Sequence, residues 1–145
     1  LERGARRVHA VDVGHDQLAP SLRSDPRVVV TEGFNLRHLT PQTLPEPIDL
    51  VVCDVSFISL RLLLGPLLSA LGPQGHALLM VKPQFEVGRE RLGAGGVVSD
   101  PQLQAQAVQQ VIDDAAELGW SSTPPRPARL PGAHGNQEFF ILLSR

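Results

Sequence analysis

Lys82 is the residue whose type and position first suggest chemistry. It is the only lysine in the chain, and the other basic residues are all arginine. It follows the apolar run LLMV, which predicts a buried strand, and it precedes Pro83. Arginine stays protonated in proteins, whereas a lysine can lose its proton when burial and neighbouring charges favour the loss. Lys82 is therefore a candidate for accepting a proton or steering a hydroxyl group, with compositional chance as the alternative.

Acidic and amide residues lie at the ends of the other predicted strands. Asp12 ends the first strand, Glu32 and Asn35 follow the second, and Asp54 follows the third. Glu138 opens the last strand, which we predict to run antiparallel, so that its first residue reaches the same edge of the sheet. Ligands of open α/β sheets bind at that edge, and an acid in the position of Asp12 often holds a ribose diol. The alternatives are helix caps for Asp12 and Asp54, a turn for Asn35 and a solvated strand end for Glu138.

A glycine-rich segment, GAGGVVSD at residues 93–100, resembles a phosphate-binding loop but lacks the lysine of a P-loop. We interpret it as a mobile loop on the substrate side of the sheet, with a plain connector as the alternative. Arg89 and Arg91 beside it are candidates for contacting phosphates, or are simply solvated. His134, in the loop GAHGNQE, either approaches a substrate or fills the loop. The other histidines show no ligand spacing, and we expect no metal site.

Strands alternate with helices along the chain, which predicts an α/β fold with a mostly parallel sheet and a final antiparallel strand. A proline-rich loop covers residues 41–47, and residues 123–130 form a connection or an edge strand. The predicted strands are residues 7–13, 28–31, 48–56, 76–83 and 138–144. The predicted helices are residues 16–24, 57–72 with a kink at Pro66, and 101–119 with Asp100 as the N-cap.

Composition limits the classes of protein that the chain can represent. Its 145 residues, 42% of them hydrophobic, are those of one globular domain. The net charge of -2 gives no general attraction to nucleic acid, so any RNA contact must be local or made by another domain. The single cysteine, Cys53, excludes an intrachain disulfide, and its apolar surroundings predict an inert buried thiol. No apolar run approaches the length of about 18 residues typical of a membrane span, and the sequence shows no signal-peptide pattern. We expect a cytoplasmic protein.

Four motifs carry a resemblance to a known family. DVSFISL at Asp54–Leu60, VKPQFEVGR at Val81–Arg89, GGVVSDP at Gly95–Pro101 and GNQEFF at Gly135–Phe140 resemble the TlyA family. Its members are bacterial rRNA ribose 2'-O-methyltransferases, some of them called haemolysins, with a catalytic domain similar to FtsJ. The opening RGARRVHAVDVGHDQL is similar to the segment that follows the family's glycine-rich cofactor loop. The resemblance implies a Rossmann-like methyltransferase fold that binds S-adenosyl-L-methionine (SAM).

The resemblance also implies roles for individual residues. The family's catalytic set is lysine, aspartate, lysine and glutamate, and Asp54, Lys82 and Glu138 match its last three members. Lys82 is then expected to handle the 2'-hydroxyl of a cytidine in ribosomal RNA, and Arg89 and Arg91 become candidate RNA-binding residues. The cofactor-binding positions implied by the resemblance are Asp12 with Val13 at the SAM ribose, Asn35 at the adenine pocket, and Asp54.

Several features of the family have no counterpart in the chain. They are the first catalytic lysine, the glycine-rich SAM loop, the strand that leads into it, and a small amino-terminal RNA-binding domain. In the family's sheet that strand is central, and its absence leaves backbone groups of two strands unpaired. We therefore expect residues 1–145 to be a partial FtsJ-like catalytic domain, inactive by itself and unstable as a lone monomer.

Other functions compete with a methyltransferase that acts on ribosomal RNA or ribosomal subunits. A non-catalytic RNA- or nucleotide-binding module of the same fold is the main alternative. A membrane-active protein is disfavoured, because no helix combines an apolar face with one rich in lysine and arginine, and we expect no membrane partner. A nicotinamide-dependent oxidoreductase rests only on the fold and Asp12.

Overall fold

The structure is a computed structural model that describes all residues, Leu1–Arg145, and it divides into two compact units. The first unit is Leu1–Leu39 and the second is Thr40–Arg145. Each has its own β-sheet. None of the helices has the length and apolar character needed to cross a membrane.

The first unit contains a two-stranded parallel sheet. Strand β1 (Val8–Val11) pairs with β2 (Val28–Thr31), and a short helix α1 (Pro20–Arg23) connects them. The bounds of β2 match the prediction, but α1 is shorter than the predicted helix. It begins at Pro20, because a proline fits the first turn, where the backbone N–H has no helical partner. A 3-10 helix, Leu36–His38, closes the unit.

The second unit contains a five-stranded sheet in which one strand pairing is parallel and the others are antiparallel. β3 and β4 run parallel, and β7 runs antiparallel to β4, which confirms the predicted final antiparallel strand. Two short strands, β5 and β6, pair with β7. The strands are β3 (Ile48–Cys53), β4 (Leu71–Val81), β5 (Ser121–Ser122), β6 (Arg126–Pro127) and β7 (Phe139–Ser144).

The predicted kinked helix over residues 57–72 is wrong. A 3-10 helix, Leu60–Leu62, is followed by α2 (Leu64–Ser69), and β4 begins directly after it. Phe57 has a φ of 66°, which no right-handed helix contains. Pro66 does not kink α2, because it occupies the first turn, where no internal hydrogen bond is lost.

Two helices on the carboxyl-terminal side of β4 complete the second unit. Helix α3 (Pro83–Glu86) follows Lys82 directly, and α4 (Pro101–Glu117) packs its apolar face into the core. Asp100 is the N-cap of α4 as predicted, with its carboxylate accepting from the backbone N–H of Gln102 at 2.9 Å. The most deeply buried core residues include Leu79 and Val81 on β4, Ile141 and Leu143 on β7, and Val111 and Ala115 on α4.

Candidate active site

The pairing of β3, β4 and β7 brings the three predicted catalytic residues to one edge of the sheet. Lys82 follows the last residue of β4, and Asp54 follows the last residue of the parallel strand β3. Since β7 is antiparallel to β4 and pairs Val81 with Phe139, Glu138 lies beside Lys82. The structure thus confirms that these three side chains converge, as the strand-end argument predicted.

The ammonium group of Lys82 is the centre of this cluster. Its Nζ lies 2.7 Å from Asp54 Oδ1, 3.1 Å from Ser56 Oγ and 3.9 Å from Glu138 Oε1. The Lys82 and Glu138 side chains are 13% and 8% exposed, whereas that of Asp54 is 59% exposed. The cluster therefore has a buried side formed by the glutamate and an open side formed by the aspartate, from which a substrate hydroxyl can approach.

Two structural alternatives can now be set aside. Asp54 does not cap the next helix, because Ser59 caps the 3-10 helix at Leu60 by accepting from the backbone N–H of Arg61. Glu138 is not a solvated strand end, because only 6% of the residue is exposed.

Three neighbours of the catalytic candidates did not emerge from the sequence. Ser56 contacts Lys82, and Gln84 donates from Nε2 to Glu138 Oε1 at 2.9 Å. Gly132 lies against Glu138, since a Cβ at Gly132 would be 2.2 Å from its Oε1. Ser56 and Gln84 lie within the motifs DVSFISL and VKPQFEVGR, whereas nothing in the sequence singles out Gly132.

Phe57 is a further feature of this site that the sequence did not indicate. Its residue surface is 93% exposed although its neighbour Ser56 contacts Lys82. Its ring centroid lies 5.4 Å from that of Phe85, with 53° between the ring planes. With its positive φ, the backbone holds a large apolar ring in solvent next to the catalytic candidates.

Glu86 fixes the loop that carries Asp54 and Ser56. Its carboxylate accepts from Ser59 Oγ at 2.6 Å and from the backbone N–H of Leu60 at 2.7 Å. Burial raises the pKa of Glu86 above its ordinary value, and the two hydrogen bonds oppose that rise in part. This contact connects α3 to the loop that follows β3, so the Lys82 and Asp54 segments are held together at two points.

Asn136 holds the glycine-rich segment to the loop before β7. It is 3% exposed, and its Oδ1 accepts from the backbone N–H of Val98 at 3.0 Å. Its Nδ2 donates to the carbonyl oxygens of Gly96 at 3.2 Å and Ala133 at 3.1 Å. An amide with all these bonds satisfied fixes both loops near Glu138.

Arg89, Arg91 and His134 are all exposed. The two arginines lie on a 3-10 helix, Arg89–Arg91, that comes shortly after α3. His134 has a φ of 57° within the loop before β7. Their exposure leaves the predicted roles of these residues open to test.

Three of the predicted cofactor residues lie together in the first unit. Asp12 follows β1 and accepts at Oδ1 from the backbone N–H of Gly14 at 2.7 Å. The backbone N–H of Phe34 donates to the Asp12 carbonyl at 3.1 Å, which joins the ends of β1 and β2. Val13 is 68% exposed, and Asn35 caps the 3-10 helix at Leu36 by accepting from the backbone N–H of Arg37. Asp54, the fourth cofactor candidate, belongs to the second unit.

Cys53 is a free thiol at the end of β3 and is 5% exposed, which confirms the prediction that it is buried. Burial raises its pKa to about 11, and the charge of Asp54 adds to the rise while that of Lys82 opposes it. No group of three or more His, Cys, Asp or Glu residues is arranged to hold a metal ion.

The chain is similar in sequence and in structure to known proteins. The chain is 51% identical over 143 residues to the 16S/23S rRNA (cytidine-2'-O)-methyltransferase TlyA of Mycobacterium tuberculosis, covering 99% of this chain and 53% of that protein. It thus spans about half the length of this curated relative. A solved structure of a "putative hemolysin" from Lactococcus lactis matches with a TM-score of 0.94 and 40% identity, covering 99% of this chain and 69% of that one.

A more distant structure shows how general the fold is. An S-adenosylmethionine-dependent methyltransferase from Mesorhizobium loti matches with a TM-score of 0.69 at 16% identity, covering 99% of this chain and 83% of that one. That likeness supports the Rossmann-like fold alone. The model of the FtsJ-like methyltransferase family matches residues 1–145, so the chain belongs to the FtsJ-like methyltransferase family.

Proposed function

We propose that the chain is the catalytic part of an enzyme that transfers a methyl group from SAM to the ribose 2'-hydroxyl of a cytidine in ribosomal RNA. The observation that carries the proposal is the cluster in which the only lysine contacts Asp54 and Ser56 and faces Glu138. Family membership supplies the reaction type, and the name of the mycobacterial relative suggests the substrate.

The cluster is suited to handling a hydroxyl group. An ammonium carries three N–H donors, and Asp54 and Ser56 account for two of the contacts of Lys82. A ribose hydroxyl at the open side can accept a hydrogen bond from Nζ, or lose its proton to a neutral Nζ or to the Asp54 carboxylate. Holding the hydroxyl in line for attack provides most of the rate gain that such a site can supply. Glu138 keeps the lysine in place from the buried side.

The first unit offers groups that fit SAM. When bound, SAM supplies an electrophilic methyl group on a sulfonium. Asp12 has its Oδ1 occupied by Gly14, which leaves Oδ2 and further lone pairs for the hydroxyls of a ribose diol. Gly14 also keeps the space beside this carboxylate open, because a Cβ there would be 3.3 Å from Asp12 Oδ1. The exposed side chain of Val13 provides an apolar surface next to that position.

The exposed ring of Phe57 is an argument for a nucleotide substrate. An exposed aromatic ring can stack on a base, and such stacking contributes about 1–3 kcal/mol per base in proteins that bind single strands. The ring belongs to the residue after Ser56, whose side chain contacts Lys82, so a base stacked on it would lie near the Lys82 cluster. Arg89 and Arg91 are exposed cations of the same unit that can contact phosphates.

Binding of the whole RNA requires more than these contacts. The net charge of -2 provides no general attraction to a polyanion. We therefore propose that residues 1–145 form part of one catalytic domain, and that an amino-terminal RNA-binding domain of the natural protein recognises ribosomal RNA or a ribosomal subunit. Because bacterial ribosomes are cytoplasmic, this function assigns the protein to the cytoplasm.

Transfer of labelled methyl from SAM to unmodified bacterial rRNA tests the proposal. The assay uses the protein at its natural length, with Lys82→Arg as the matched variant. We expect transfer by the wild type and its loss in the variant, because arginine keeps a charge but cannot give up its proton. Absence of transfer by a wild type that still binds SAM would favour the non-catalytic binding module. Equal transfer by both proteins would support the enzyme but remove the role of Lys82.

A further inference from the structure

Gln84 is a buried amide that contacts the catalytic cluster only through Glu138. It lies on α3, two residues after Lys82, and it is 8% exposed. Its Nε2 donates to Glu138 Oε1 at 2.9 Å, and the same oxygen lies 3.9 Å from Lys82 Nζ. The amide therefore contacts the carboxylate oxygen that faces the lysine.

The orientation of the amide follows from the chemistry of its partner. An ionised carboxylate only accepts hydrogen bonds, so the NH₂ group of Gln84 must point toward Glu138. As a result, Gln84 Oε1 points elsewhere, is buried and has no hydrogen-bond partner. A buried carbonyl without a partner is unfavourable for folding, and an apolar side chain of similar shape would avoid that cost. The amide is therefore explained by its bond to Glu138 rather than by packing.

The neutral character of the amide matters for the charge balance. An arginine or lysine at position 84 would compete with Lys82 for the negative charge of Glu138. An amide donates a hydrogen bond without a positive charge, so the charge of Glu138 stays directed at Lys82. Gly132 leaves room for the same carboxylate, since a Cβ there would be 2.2 Å from Oε1.

We propose that Gln84 is a positioning residue that holds Glu138 against Lys82. This inference rests on the proposed function, because its consequence for catalysis depends on Lys82 orienting the substrate hydroxyl. Gln84 forms no side-chain hydrogen bond with Lys82 or Asp54, so it acts through Glu138.

Two substitutions separate positioning from packing. Gln84→Met keeps the length of the side chain and removes the donor, and we expect kcat to fall about 10-fold or more with the KM for SAM unchanged. Gln84→Glu keeps the shape but places two carboxyl groups together, of which one must hold a proton to donate in place of the amide. We expect the activity of this variant relative to the wild type to be highest at acidic pH and to fall as that proton leaves.

A spectroscopic measurement detects changes around Lys82 without relying on catalysis. In protein of natural length labelled at lysine Cε with ¹³C, the Lys82 resonance is the one absent from Lys82→Arg. We expect it to move in Gln84→Met and to stay in place in Gln106→Met, a matched change on the exposed face of α4. A wild-type pH profile in Gln84→Glu, or an unmoved Lys82 resonance with kcat within about two-fold in Gln84→Met, would overturn the proposal. If the Lys82 resonance moves in Gln84→Met but the wild type transfers no methyl, the proposed reaction is contradicted and the positioning role of Gln84 still stands.

Discussion

The two units of the chain present their polar groups in different ways. In the first unit Asp12, Val13 and Asn35 are exposed, and backbone groups within two residues orient the Asp12 and Asn35 side chains. In the second unit Glu138 is buried, and the groups that orient it are distant in sequence. The first arrangement suits reversible binding of a polar ligand, whereas the second fixes charges for chemistry.

The difference follows from how much core each unit has. In the first unit Leu39 is the only buried residue. The second unit buries residues of β4, β7 and α4, and this core fixes Lys82 and Glu138 through the register of β4 and β7. A carboxylate can be buried only when donors and an opposite charge compensate the loss of water. Changes in the second unit should therefore have larger effects than matched changes in the first.

The largest effect is expected from Gly132→Ala. The added methyl would lie 2.2 Å from Glu138 Oε1, the oxygen that faces Lys82, so the carboxylate must shift from its position. We expect methyl transfer to fall at least about 100-fold, as displacements of about 1 Å do in active sites. Overpacking should also lower the free energy of unfolding by about 1–3 kcal/mol.

Gly65→Ala is the matched control for that variant. Gly65 lies in α2, and a Cβ there meets no atom within 4 Å. Since alanine favours the helix, we expect unchanged transfer and a gain of about 0.5–1 kcal/mol in the free energy of unfolding. Full activity in Gly132→Ala would show that Glu138 does not need its position.

The second prediction concerns how strongly the fold of the second unit protects the Cys53 thiol from alkylation. Burial raises the pKa of this thiol to about 11, and only the thiolate reacts with alkylating reagents. Near pH 8 we expect alkylation about 100-fold slower in the folded chain than in the denatured chain, on the shift in pKa alone. Mass spectrometry of timed samples measures both rates. Equal rates would mean that the end of β3 opens readily and that the second unit is less closed than the structure shows.

A smaller effect is expected from Asp12→Asn in the first unit. Asparagine keeps the bond to Gly14 but loses the charge that strengthens hydrogen bonds to a ribose diol. We expect SAM to bind about 10-fold more weakly, with the free energy of unfolding changed by less than about 0.5 kcal/mol. Calorimetric titration of the natural-length protein measures the affinity. Asp16→Asn is the control, because that side chain is 95% exposed and should leave the affinity unchanged.

Much of the second unit's site was predictable because strand ends are easy to recognise in sequence. The apolar runs before Asp54 and Lys82 marked two parallel strands, and the antiparallel final strand correctly brought Glu138 to them. The resemblance to TlyA proteins then assigned roles that types and positions alone left open. In the first unit the position of Asn35 was found, but its observed role is that of a cap.

Other features could not be predicted for physical reasons. The helix expected over residues 57–72 failed because an apolar run cannot reveal the positive φ of Phe57. The role of Gly132 depends on a close approach of Glu138 that only the three-dimensional structure shows. Gln84 was visible within a motif, but its contact with Glu138 spans 54 positions in the chain.

The smallest expected effect, and the sharpest contrast between the units, is the pH dependence of two glutamates. In the first unit the Glu32 carboxylate accepts a hydrogen bond from Arg23, which lowers its pKa. In the second unit burial raises the pKa of Glu86. A carboxyl group whose pKa is lowered by folding stabilises the protein at pH values above its unfolded-state pKa, and this stability is lost as pH falls. A carboxyl group whose pKa is raised by folding stabilises the protein at pH values below its unfolded-state pKa, and this stability is lost as pH rises.

The two variants Glu32→Gln and Glu86→Gln should therefore respond to pH with opposite signs. Relative to Glu32→Gln, the wild type should lose stability as pH falls below the ordinary glutamate value of about 4.3. Relative to Glu86→Gln, it should lose stability as pH rises above that value, because folding then requires a buried charge. Urea unfolding of the three proteins between about pH 3 and pH 7 measures both differences. Loss of stability as pH falls in both comparisons would show that local hydrogen bonds, rather than burial, dominate both sites.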